Sequence, residues 1–79
     1  MRMPKSAAHM KFAQWVKETR EALSMSQVQF ATHVGRTQSY IARTETGERR
    51  MDIIEFIELA HALGASPPKL FQRVYERIK

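Results

Sequence analysis

Cysteine is absent from the 79-residue chain, which excludes disulfide bonds and zinc sites built from thiolates. Glycine and proline are scarce, with three of each, and 43% of the residues are hydrophobic, a composition that argues against disorder. No apolar run approaches the roughly 20 residues that a membrane-spanning helix requires, and the N-terminal residues lack the apolar core of a secretory signal. We therefore expect a soluble, cytoplasmic protein of one small domain that is stabilised by packing alone.

Groups of residues typical of enzymes and metal proteins are also missing. His9, His33 and His61 lie far apart, with no cysteine or paired carboxylate at the spacing of metal ligands. No nucleophile lies beside a candidate base, and neither a glycine-rich phosphate loop nor an acid pair stands out. We expect a protein that is not an enzyme and that binds no metal or other cofactor.

The charge that is present is basic and unevenly distributed. The net charge is +5, and residues 1–21, 26–50 and 69–79 each contain more basic than acidic side chains. By contrast, residues 51–68 contain acids but no lysine or arginine. This separation predicts one basic face that binds a polyanion and an acidic face turned away from it.

Hydrophobic periodicity predicts an all-α fold of five short helices, since no segment has the pattern of a strand. Residues 1–9 have no period and are expected to form a flexible arm before a helix over residues 11–23. Residues 53–63 are the most apolar segment and are expected at the centre of the core. The later helices are predicted from polar N-caps and, in three cases, a terminal glycine: Ser26 to Gly35, Thr37 to Gly47, Asp52 to Gly64, and Ser66 onward.

The predicted third helix carries more outward-reaching polar side chains than packing would require. Gln38, Ser39 and Tyr40 form its first turn, Arg43 follows one turn later, and only Ile41 is plainly a core residue. Two short helices joined by a tight turn form a helix-turn-helix, in which the start of the second helix enters the major groove. Glutamine can pair with adenine and arginine with guanine, so this helix is suited to reading base edges.

The stretch MSQVQFATHVGRTQSYIARTETGER resembles the Cro/lambda-repressor-like helix-turn-helix proteins, also called the xenobiotic-response-element class. The positions that match the family pattern are Met25, Ser26, Gln27, Phe30, Ala31, Gly35, Thr37, Ile41, Glu45 and Gly47. With the later helices, the resemblance covers about sixty residues, 12 to 71. It implies a compact five-helix lambda-repressor-like DNA-binding domain over residues 10–79, with the helix-turn-helix at about 26–46 and the last helix at about 66–79.

The resemblance also implies roles for individual side chains. Gln27 looks like the family's phosphate clamp, and Arg20 and Glu45 match a structural ion pair between the first and third helices. Base reading is expected from Thr37, Gln38, Ser39 and Arg43. Contacts to the DNA backbone are expected from Gln27, Arg36, Tyr40, Thr46, Arg49 and Arg50. A solvated helix face is the alternative for the base-reading residues, and Tyr40 fits a packing role or a base contact as well as a phosphate contact.

Two positions depart from the family pattern. Thr44 stands where the family usually has a large apolar residue, which predicts looser packing under the third helix. Arg36 replaces a frequent small or apolar residue directly after Gly35, where its side chain could reach a phosphate.

The apolar stripe of the last helix extends through Tyr75 and Ile78, beyond the end of the resemblance. This stripe could close the monomer core or form a dimer interface. Because members of the family commonly dimerise through this region, we expect a homodimer with Phe71, Tyr75 and Ile78 at the interface. Two-fold symmetry would then place two reading helices about 34 Å apart along the duplex.

These observations predict a sequence-specific transcriptional regulator that binds double-stranded DNA, acting as a dimeric repressor on an inverted-repeat operator. A prophage-type repressor, a restriction-modification controller and an antitoxin all fit this size. The alternative is a protein-interaction module, or an antitoxin-type partner protein, that keeps the fold while DNA binding is secondary. Glu48, close to the expected phosphates, favours that alternative, and the arginines at 36, 43, 49 and 50 count against it.

Overall fold

A computed structural model of the chain describes residues 6–79. Its five helices confirm the prediction of an all-α, five-helix fold, and the described residues contain no strand. The helices are α1 Ala7–Ala22, α2 Gln27–Val34, α3 Gln38–Glu45, α4 Ile53–Ala62 and α5 Pro67–Ile78. No helix in the described part of the chain combines the length and the apolar character needed to cross a membrane.

Polar side chains fix the first residues of the middle helices by accepting hydrogen bonds from backbone amides. Ser26 and Asp52 each form a reciprocal capping box with the residue three positions later. Thr37 Oγ1 accepts from the Tyr40 amide at 3.1 Å and so begins α3. Ser66, predicted to cap α5, makes no side-chain capping bond, and α5 begins instead with proline at its first position.

Helix α1 begins earlier than the periodicity predicts. Ser6 Oγ accepts from the His9 amide at 3.0 Å, so the helix begins at Ala7. His9 Nε2 also lies 2.9 Å from the carbonyl oxygen of Gly47, which joins the first turn of α1 to the loop after α3. Residues 7–9 of the predicted arm therefore belong to α1, while its residues 1–5 lie outside the described part of the chain.

The core contains side chains from all five helices, with Phe12, Trp15 and Phe56 forming an aromatic cluster. Ile53 and Ile54, at the start of the most apolar helix, are exposed, contrary to the expected central position of that whole segment. The buried hydrophobic residues are Ala13, Trp15, Val16, Phe30, Ala31, Ile41, Phe56, Leu59, Ala60, Leu70 and Val74.

Thr44 lies on the side of α3 that faces this core and is fully buried. Its hydroxyl donates to the carbonyl oxygen of Tyr40 at 2.7 Å, and no buried side-chain nitrogen or oxygen among the described residues lacks a partner. The threonine therefore fits the core without leaving an unsatisfied polar atom.

An exposed ion pair connects the two terminal helices. Arg77 of α5 donates hydrogen bonds of 2.6 and 2.7 Å to the two carboxylate oxygens of Glu18 in α1. These hydrogen bonds, with a further one from Gln14, lower the pKa of Glu18 to about 2. Both partners remain substantially exposed, at 40% for Arg77 and 42% for Glu18, so water and salt screen their attraction.

Candidate nucleic-acid interface

Helices α2 and α3 form a helix-turn-helix joined by residues 35–37. Gly35 takes a left-handed conformation with φ of 73°, and the next amide, of Arg36, donates to the carbonyl oxygen of Ala31 at 2.8 Å. This hydrogen bond closes the end of α2 and turns the chain sharply into α3. The motif occupies Gln27–Glu45, within the predicted range of about 26–46.

The two faces of α3 differ in burial. Ile41 and Thr44 pack into the core, whereas Gln38, Ser39 and Arg43 are exposed. Thr37, the N-cap, is exposed beside them. Of the four side chains predicted to read bases, Thr37, Gln38 and Ser39 therefore lie at the accessible N-terminal end of α3, and Arg43 lies in its last turn. The opposite face of the helix is held in the core.

A largely buried ion pair lies under the C-terminal end of α3. Arg20 Nε and Nη2 donate to the two carboxylate oxygens of Glu45 at 2.6 and 3.1 Å. Their side chains are 12% and 4% exposed, and the hydrogen bond to Glu45 raises the pKa of Arg20. Arg20 Nη1 also donates to the carbonyl oxygen of Met25 at 2.9 Å. The structure thus brings together α1, α3 and the turn before α2.

Two glutamines extend this ion pair to the exposed end of α3. Gln27 Nε2 donates to Glu45 Oε1 at 3.2 Å, and Gln27 Oε1 accepts from Gln38 Nε2 at 2.8 Å. The Gln38 carboxamide therefore has one N–H engaged, while its oxygen and second N–H remain for another partner. The orientation of Gln38 is set by side chains beneath it.

Two guanidinium groups lie against the ring of Tyr40. The guanidinium carbons of Arg36 and Arg49 are 5.1 and 4.4 Å from the centre of its ring, distances typical of cation–π contacts. Burial is the main cause that raises the pKa of the Tyr40 hydroxyl. Tyr40 therefore has a packing contact within the domain, the first of its predicted alternatives.

Both of these arginines have acidic partners on α4, so the predicted acidic face is not separate from the basic one. Arg49 Nη1 and Nη2 donate to the two oxygens of Glu55 at 3.0 and 2.8 Å, and Arg36 Nη2 donates to Glu58 Oε1 at 2.7 Å. The hydrogen bond to Glu55 raises the pKa of Arg49, and the same bond lowers the pKa of Glu55. Basic and acidic residues that are separated along the sequence are therefore paired with each other in the fold.

The loop after α3 contains the remaining predicted backbone contacts. Thr46 is the C-cap of α3, with its hydroxyl donating to the carbonyl oxygen of Arg43 at 3.2 Å. Arg43 Nε lies 3.9 Å from a carboxylate oxygen of Glu48, and both of these side chains are well exposed. Arg50 is exposed, and its carbonyl oxygen accepts from Arg49 Nη1 at 2.8 Å. Among residues 6–79, no cluster of histidine and acidic side chains could hold a metal ion.

Gly47 determines the path of that loop. It is buried with φ of 80°, and a Cβ added there would lie 2.7 Å from Met10 Sδ. The nearby hydrogen bond from the His9 ring gives a role to a residue for which the sequence suggested none. The N-cap residue Ser6 could have indicated this contact from the sequence, because a helix that begins after Ser6 contains His9 and Met10 in its first turn.

The predicted dimer residues do not all share one environment. Phe71 and Tyr75 are each more than half exposed, and their rings stack with centres 6.5 Å apart. Ile78 instead packs partly buried against the core. Exposed Ile53 of α4 lines the same groove as Phe71. Ile53, Phe71 and Tyr75 are called the apolar patch below.

Comparison with known proteins agrees with this geometry. The model of the family described as helix-turn-helix domain matches residues 11–71. The restriction-modification controller protein C.AhdI from Aeromonas hydrophila is 34% identical with a TM-score of 0.71, covering 82% of this chain and 98% of that chain. An XRE-family like protein from Pseudomonas syringae pv. tomato is 31% identical with a TM-score of 0.72, covering 89% and 85%, respectively. No curated protein matches the sequence.

The largely buried pair of Arg20 and Glu45 predicts that removing its arginine costs much more stability than removing the arginine of an exposed pair. Arg20→Met leaves the Glu45 carboxylate buried without its cation, and we expect the free energy of unfolding to fall by about 3–5 kcal/mol. Arg77→Met is the matched control, since it removes an equally bidentate but exposed arginine and should have a much smaller effect. Urea denaturation followed by circular dichroism measures both variants. Equal losses in the two variants would contradict the role of burial.

Proposed function

We propose a function for this chain, which belongs to the helix-turn-helix domain family and is a DNA-binding transcription regulator of the XRE, Cro-like class. The proposed function is that of a homodimeric repressor that binds an inverted-repeat operator through the major groove and blocks transcription from an overlapping promoter. The main support is the row of exposed polar side chains at the start of α3, above a face that is fixed in the core.

Gln38 is assigned the central part in base reading. Its free carboxamide oxygen and second N–H form an adjacent acceptor and donor, which match the N6 donor and N7 acceptor of adenine. Gln27 holds the other N–H, so the carboxamide is oriented before DNA arrives. Arg43, one turn along the exposed face, is the candidate for guanine, while Thr37 and Ser39 can bond to several base edges.

Backbone contacts are assigned to the residues around this row. Gln27 is the first residue of α2, so its backbone N–H lacks a partner within the helix and suits a phosphate oxygen. Arg36, Thr46 and Arg50 are proposed as further phosphate contacts, since they flank the two ends of α3. Arg49 is reassigned to a structural role, because both terminal nitrogens of its guanidinium donate hydrogen bonds to Glu55.

The apolar patch is proposed as the centre of the dimer interface. Exposed aromatic and β-branched side chains that share a groove favour association with another protein surface. A two-fold axis would bring the patch of each copy against its equivalent. Ile78 contributes less than the sequence predicts, because the core already covers part of it, and Ile53 takes its place.

The biological role is proposed to be control of restriction-modification genes. Among the three roles that fit this size, that one is supported by the 34% identity with a restriction-modification controller over 82% of this chain. The fold alone would fit the other two equally well.

Base reading by Gln38 predicts a change in specificity. Gln38→Ala should reduce discrimination at one base position by about 1–3 kcal/mol while leaving preferences at other positions unchanged. Competition binding to a panel of single-base operator variants measures this loss. Gln14→Ala is the matched control, since Gln14 is an exposed glutamine of α1. An unchanged preference at every position would contradict the assignment of Gln38.

The proposed interface predicts a change of oligomeric state. Phe71→Ser should shift the chain from dimer to monomer in sedimentation equilibrium, since it removes an apolar side chain from the centre of the patch without opening the core. Val28→Ser is the matched control, because Val28 is also an apolar residue more than half exposed but lies on α2. A Phe71→Ser variant that remains fully dimeric would place the interface elsewhere.

A further inference from the structure

The two acidic partners on α4 hold the arginines beside Tyr40 in different ways. Glu55 binds Arg49 through both carboxylate oxygens, and its side chain is only 12% exposed. Glu55 Oε1 also accepts from the Asp52 amide at 3.0 Å, as part of the capping box that begins α4. Releasing Arg49 would therefore disturb a helix terminus as well as an ion pair.

Arg36 is held much less tightly. It makes one hydrogen bond to Glu58, whose side chain is 60% exposed, while that of Arg36 is 30% exposed. The Glu58 side chain makes no other hydrogen bond to a described residue. Such an exposed pair is weakened by salt and can be broken at little cost.

The position of Arg36 makes this weak pair relevant to DNA. Arg36 directly precedes Thr37, the N-cap of α3, and its guanidinium rests against the ring of Tyr40 in the first turn. When the N-terminal end of such a helix enters the major groove, backbone phosphates border it. A carboxylate and a phosphate both accept charge-assisted hydrogen bonds from a guanidinium.

We propose that Glu58 is an intramolecular competitor for DNA: it occupies Arg36 in the free protein and is displaced by a backbone phosphate when duplex binds. This inference rests on the proposed DNA-binding function. The contact with Tyr40 keeps the guanidinium near α3 during the exchange, so only the anionic partner changes. Since phosphates carry no sequence information, Glu58 lowers the affinity for every duplex and leaves the choice of sequence unaffected.

The test measures binding of a mixed-sequence duplex pool by fluorescence anisotropy over a range of salt concentrations. Glu58→Gln should bind roughly two- to fivefold more tightly than the parent at low salt, and its affinity should fall more steeply as salt rises. Glu76→Gln is the matched control, because it also removes one negative charge but from an acid whose side chain bonds only to Gln72 and to Lys79, the C-cap of α5. Glu58→Ala should reproduce the gain without a replacement amide.

Arg36→Gln separates competition at Arg36 from general repulsion between Glu58 and DNA. With Arg36 replaced, adding Glu58→Gln should give no gain beyond that of Glu76→Gln. A full gain in that background, or equal gains for Glu58→Gln and Glu76→Gln in the parent, would overturn the proposal. If the parent binds no duplex at all, the proposed function itself fails and the competitor role falls with it.

Discussion

The arrangement of the candidate interface depends on the largely buried ion pair of Arg20 and Glu45. A charge taken out of water is tolerated only when a partner of opposite charge and further hydrogen bonds satisfy it, and here two residues make those further hydrogen bonds. Met25 accepts from Arg20, while Gln27 donates to Glu45. Since Gln27 also accepts from Gln38, the requirement to satisfy a buried charge determines how an exposed side chain is oriented.

A second constraint acts on positive charge around α3. Arg36, Arg43 and Arg49 each lie within 4 Å of a carboxylate oxygen. Free cations on this surface would bind the phosphates of every duplex, which raises affinity without specificity. The acidic partners of these arginines weaken their attraction to phosphates to different degrees. Glu55 binds its arginine through both carboxylate oxygens, whereas Glu48 is distant from its arginine and exposed. Within the proposed function, the balance between affinity and selectivity is therefore adjusted by α4 and the loop before it.

The elements could be predicted from local signals, whereas their relative positions could not. Caps such as Ser26 and Thr37 fix helix starts through neighbouring amides, so sequence spacing was sufficient. The ion pair of Arg20 and Glu45 came only from the family resemblance. Periodicity could not show that Ile53 is exposed, because Ile53 lies seven residues before the buried Ala60 and so falls on the same side of α4. The contact between Arg36 and Glu58 joins residues 22 positions apart and left no local signal.

Selection of bound sequences from a random duplex pool at near-physiological salt tests the central claim most directly. A dimer with pre-oriented reading side chains should enrich an inverted repeat whose half-sites lie about one helical turn apart. A pool that stays random, with weak retention that disappears as salt rises, would contradict the claim. It would mean that the basic residues bind DNA backbone without reading sequence.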